Sequence, residues 1–215
     1  MNVENRSKGR KGRRLVPRQL PDPLRAHGAW VYLAVSILAG AFTATGRGFG
    51  PALLAGAGFV GLFVLAGSLA VIPHRAALAR IAVGLPLSFG SPLLALALGA
   101  DSSFLAVGLI ATVPALAAAY WASRSGFLSP GALAFGVTSL TVSAPAAASA
   151  GAAGPRSAVL ILATLAPFFF WRTWRLARVL GQGWTRERFA RRGLLESALA
   201  VAWAALAVSA TRMLG

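Results

Sequence analysis

The chain has 215 residues, 57% of them hydrophobic and 12% charged, with a mean hydropathy of +0.69 and a formal net charge of +16. A soluble domain of this length cannot hide that much apolar surface, so a water-soluble fold is excluded. Cysteine is absent, which excludes disulfides, thiolate nucleophiles and cysteine metal ligands.

Residues 1–25 carry eight bases (Arg6, Lys8, Arg10, Lys11, Arg13, Arg14, Arg18 and Arg25) against two acids, Glu4 and Asp22. Pro17, Pro21 and Pro23 discourage helix there, so this segment reads as a disordered basic tail on the cytoplasmic side. Its charge alone fits nucleic acid. Without aromatics or a recognisable fold, and tethered at a membrane, it has anionic lipid headgroups as its expected partner.

Residues 26–215 form the second region. Seven apolar segments lie near 28–46, 51–72, 81–99, 104–122, 131–150, 157–174 and 193–212. Their lengths approach the roughly 20 residues a helix needs to cross a bilayer core. None shows the period-2 alternation of a closed barrel. The fold class expected is therefore all-α, a polytopic transmembrane bundle of about seven spans. A signal peptide is the rival reading of the first segment, but its apolar run is too long and six further segments follow. The sixth segment is the weakest, since its uncharged run is only 157–171. If the N-terminus is inside and the C-terminus outside, eighteen of the 21 bases fall on the cytoplasmic side. Only Arg47, Arg156 and Arg212 fall outside. Trp30, Tyr32, Tyr120, Trp121, Trp171 and Trp174 map to the cytoplasmic edge, where amphipathic rings sit well.

Small residues recur every fourth position at Ser36, Gly40 and Ala44, and again at Ala111, Ala115 and Ala119, a spacing that lets helices approach closely in lipid. The third span, "VGLPLSFGSPLL", is interrupted by Pro86 and Pro92. The fifth carries Thr138, Thr141, Pro145 and Ser149 on roughly one face. Broken helices beside polar stripes mark binding sites in transporters. The simpler reading is a packing kink whose freed carbonyls are capped by Ser88 or Ser91.

No acid lies at mid-membrane depth; Glu196 comes closest and is expected to pair with Arg192 on the same helix face. This argues against a carboxylate proton relay, and no two acids are spaced to clamp magnesium. His27 and His74 both map to the cytoplasmic edge. Two histidines without cysteine do not complete a zinc site, and edge histidines bonded to backbone or headgroups are the simplest reading. Arg172, Arg175 and Arg178 recur every third residue, interleaved with Trp171 and Trp174; such arginines bind anionic headgroups or, in a pocket, a phosphate or carboxylate.

"RAHGAW" at the first span resembles the opening signature of the YwiC-like family of bacterial integral membrane proteins, with Arg25, His27, Gly28, Ala29 and Trp30 matching and Ala26 standing where that family has an acid. "PFFFWRTWRLAR" resembles the family's late arginine motif through Arg172 and Arg175. The resemblance implies a multi-pass protein of the bacterial plasma membrane without an established activity, and the missing acid withholds a mechanism. The expected role is a carrier or binding protein for a small anionic or amphipathic molecule, with Arg25, His27, His74, Arg172 and Arg175 as ligand-binding candidates. His27, Arg172 and Arg175 are expected to form a rim facing the bundle interior. No catalytic residue, cofactor or metal is assigned. The alternatives are an intramembrane enzyme acting on a lipid at the cytoplasmic face, with His27 or His74 as acid–base, and a structural or assembly subunit.

Overall fold

A computed structural model describes residues 27–68, 74–126, 129–180 and 186–215. The basic tail expected over residues 1–25 lies outside the described residues. In chain order the helices are α1 (His27–Thr43), α2 (Phe49–Ser68), α3 (His74–Leu85), a π-helical turn (Pro86–Gly90), α4 (Ser91–Ala97), α5 (Ser103–Ser125), α6 (Pro130–Thr141), α7 (Ser143–Ala150), α8 (Gly154–Leu180) and α9 (Arg186–Leu214). No strand occurs among the described residues.

Six helical stretches are long and apolar enough to cross a membrane: Phe49–Ser68, Ala76–Ala97, Ser103–Ser125, Pro130–Ala150, Gly154–Arg175 and Arg192–Leu214. The chain is thus a multi-pass helical membrane protein. The segment weakest in sequence, within α8, supplies 22 continuous residues, about 33 Å of helix. The short one is α1, whose 17 residues reach only about 25 Å against a hydrocarbon core of roughly 30 Å.

The fifth apolar segment is the axis of the bundle. Every residue of α7, Ser143–Ala150, is buried, and α7 touches α1, α2, α5 and α8. Its sequence, SAPAAASA, has almost no side-chain bulk, so neighbouring backbones can close on it, as van der Waals packing in lipid requires. The α1 stripe is one of those neighbours. A Cβ added at Gly40 would lie 2.1 Å from the Ala144 carbonyl oxygen, so only glycine fits. The second stripe behaves differently. Ala111 is buried, but Ala115 and Ala119 are exposed, and α5 packs instead through Phe104, Ala111 and the half-buried Pro114 and Ala118.

The prolines of the third segment produce the π-helical turn between α3 and α4. The Ser91 hydroxyl donates to the Leu87 carbonyl, recovering one acceptor. Ser88 does not cap; its hydroxyl is buried without a hydrogen-bond partner among the described residues and wedged against α2, where a Cβ on Gly61 would lie 2.7 Å from it. The interruption is a packing kink. The polar stripe of the fifth segment is likewise absorbed locally: Thr138 and Thr141 donate to the Ala134 and Val137 carbonyls at 2.8 and 2.7 Å.

Candidate functional site

The helices α8 and α9 run antiparallel in a fixed register. Trp203 Nε1 donates to the Thr164 carbonyl at 3.0 Å, and its ring stacks on Phe168 at 4.9 Å. Continuing that register along α8 brings Arg172 opposite Glu196. The Arg172 Nε and terminal nitrogen both reach the same Glu196 oxygen, Oε2. Arg192 Nε approaches the other oxygen, Oε1, at 3.4 Å. The expected Arg192–Glu196 pair is present, but the tighter partner comes from the neighbouring helix. Arg172 and Glu196 are only 12% and 13% exposed. Breaking such a buried pair by removing one member typically costs about 3–5 kcal/mol, because the other charge is left uncompensated.

The spacing of the three arginines sets their different fates. A three-residue step turns an α-helix by about 300°, so each arginine lags its predecessor by about 60°. Arg172 therefore sits beside the inward face marked by the fully buried Phe169, while Arg175 and Arg178 swing outward and are exposed. The interior-facing rim expected from sequence is divided by this rotation. The outward pair rests on indoles instead. The Arg172 and Arg175 guanidiniums lie 5.5 and 5.6 Å from the Trp171 ring centre, and Arg178 lies 5.2 Å from that of Trp174. Arg175 and Arg178 have no carboxylate partner among the described residues.

Helix α1 enters at this same end. Tyr32 stacks on Phe169 with ring centres 4.5 Å apart, and Trp30 meets Phe63 of α2 edge-on at 4.9 Å. The backbone of His27 lies five residues before Tyr32, about 7.5 Å along the axis. His74 opens α3, whose Arg80 donates to the Gly67 carbonyl near the end of α2 at 2.7 Å. The fold thus gathers the starts of α1 and α3 and the arginine half of α8 at one end. Arg25 and the side chains of His27 and His74 lie outside the described residues. Among the described residues, no three of His, Asp and Glu form a metal-ligand cluster.

Sequence reasoning missed the Arg172–Glu196 pair, which joins residues 24 apart on two helices. It also missed the aromatic bracing by Tyr32, Phe169, Phe168 and Trp203. The local signal for the ion pair was Glu196, an acid inside the apolar stretch that follows Arg192. No protein-family model, curated protein or solved structure matches this chain.

Proposed function

We propose that this protein binds an amphipathic anion at the cytoplasmic edge of a bacterial plasma membrane, in a seven-span, N-in and C-out arrangement of the YwiC-like kind. The observation that carries the reading is the division of the arginines. Glu196 neutralises Arg172 inside, whereas Arg175 and Arg178 stand outside on indole faces without a carboxylate among the described residues. An exposed guanidinium over an indole offers an oxyanion its donors and an acyl chain its apolar platform. The bias of eighteen bases to one side supports the orientation. The fully buried, small-residue α7 favours binding at the edge over passage through the bundle centre.

The test uses dodecyl phosphate as probe and the full chain in zwitterionic nanodiscs. Each juxtamembrane arginine contributes about 1 kcal/mol, so the Arg175→Gln/Arg178→Gln double variant should bind about thirtyfold more weakly. Unchanged binding in the double variant would defeat the reading.

A further inference from the structure

The opposite end of the α8–α9 pair holds a cleft of about 460 Å³. It lies fifteen residues from Arg172 along α8, about 22 Å away. Thr43 closes it from α1, Thr45 and Gly46 from the α1–α2 turn, Ser157 from α8, and Thr211 and Arg212 from α9. The turn is tied across the fold: Thr45 N–H donates to the Gly151 carbonyl at 3.2 Å, and the Thr45 hydroxyl lies 3.4 Å from the Ala152 carbonyl.

Three features give the cleft a chemistry. The first is its rim. Arg212 lines it, Arg47 follows the lining Gly46, and Arg156 precedes the lining Ser157. These are the three bases that stand apart from the other eighteen in the charge distribution, and Arg212 is the one that lines the opening. All three are exposed, and none has an ion pair or ring contact among the described residues. The acid described at this end, Asp101, is occupied by the Ser103 N–H at 2.8 Å. The second feature is Ser157, which is 8% exposed and has no hydrogen bond to its hydroxyl among the described residues. It is a donor without a committed acceptor, in the wall beside Gly215, which also lines the cleft. The third is the pair Thr43 and Thr211. Their hydroxyl protons are spent on the Gly40 and Ala207 carbonyls at 2.6 and 2.7 Å, so toward the cleft they present acceptor lone pairs.

We infer that this cleft is a binding site for a hydroxylated phosphate, with Arg212, flanked by Arg47 and Arg156, and Ser157 donating to the phosphate oxygens while Thr43 and Thr211 accept from the ligand's hydroxyls. Guanidinium groups match phosphate oxygens in bidentate geometry, and acceptor threonines select a ligand that carries donors of its own. A glycerol phosphate group has this pattern, whether as a free small molecule or as the headgroup of an anionic lipid. The site is separate from the Arg175–Arg178 face and does not depend on it.

The experiment titrates glycerol phosphate and inorganic phosphate against the full chain in phosphatidylcholine nanodiscs, following thermal unfolding. In parallel, native mass spectrometry measures phosphatidylglycerol retained from mixed nanodiscs. A saturable response to glycerol phosphate, stronger than to inorganic phosphate, supports a free ligand. Preferential retention of phosphatidylglycerol without that response supports a headgroup. In either arm Arg212→Gln should weaken binding at least about tenfold, since it removes a charged hydrogen-bond donor. Thr211→Val, which keeps shape and loses the hydroxyl, should abolish the preference over inorganic phosphate in the free-ligand arm and lower retention in the lipid arm. Absence of both responses, or responses that Arg212→Gln leaves intact, overturns the proposal.

Discussion

The two ends of the α8–α9 pair are built from the same helices in the same register, yet they treat arginine differently. At one end Glu196 stands across from Arg172 and one turn from Arg192, and those two charges are consumed in holding the helices together, while Arg175 and Arg178 stay outside on indole faces. At the other end no Asp or Glu side chain pairs with Arg212, Arg156 or Arg47 among the described residues, and hydroxyls of Ser157, Thr43 and Thr211 take the corresponding positions around a cleft that Gly215 also lines. The contrast shows that being basic does not make a residue available. A buried guanidinium must have a counter-charge because desolvation costs several kcal/mol per ion. An exposed one needs none, and stays open to a partner from outside.

The sharpest way to break this comparison is to ask whether the two ends face different compartments. A reporter fused after Gly215 should read as extracytoplasmic and one inserted within residues 181–190 as cytoplasmic. Two reporters on the same side would remove the distinction between the ends. Next in size is the ion pair. Glu196→Gln should lower unfolding stability by about 3–5 kcal/mol, measured by denaturant titration in detergent. The double variant Arg172→Met/Glu196→Leu should recover most of that loss, because it removes the buried charge as well as its partner. Failure of that recovery would mean that the pair does more than neutralise itself.

A smaller effect is expected midway between the ends. Trp203→Phe keeps an aromatic ring to stack on Phe168 but loses the donor to the Thr164 carbonyl. The cost should be about 1 kcal/mol in the same unfolding measurement, with the Arg172–Glu196 pair intact. The smallest effect concerns Asp101 and appears only as a pH dependence. The Ser103 backbone N–H, with a further contribution from the Ser103 side chain, holds the Asp101 carboxyl below its ordinary value. The stabilisation is therefore complete above the ordinary carboxylate range and is lost as pH falls through the lowered folded-state value. The gap in thermal midpoint between the native chain and Asp101→Ala should be constant at neutral pH and close in acid. A gap that persists after the carboxyl is protonated would show that the side chain acts through packing.

The sequence alone determined the class of this protein and its segmentation. Lipid offers no hydrogen bonds, so each spanning segment must satisfy its backbone within itself, and that requirement writes run length and apolarity into contiguous residues. The proline-broken third segment and the arginine periodicity of α8 are local in the same sense, and both were legible. Rotation by 3.6 residues per turn already implied that Arg172, Arg175 and Arg178 diverge around the helix; which one turned inward awaited the position of Phe169 against Tyr32. Only the tertiary structure decided which small-residue stripe became an interface. Spacing identifies a face that allows close approach, but not the helix that arrives there. Gly40 met α7, while Ala115 and Ala119 were left exposed. The partner of Arg172 and the cleft tied by Thr45 to Ala152, 107 residues away, were likewise beyond local reading. Contacts between distant segments depend on how whole helices stack, and in a chain so rich in alanine and glycine many stackings satisfy the same local pattern.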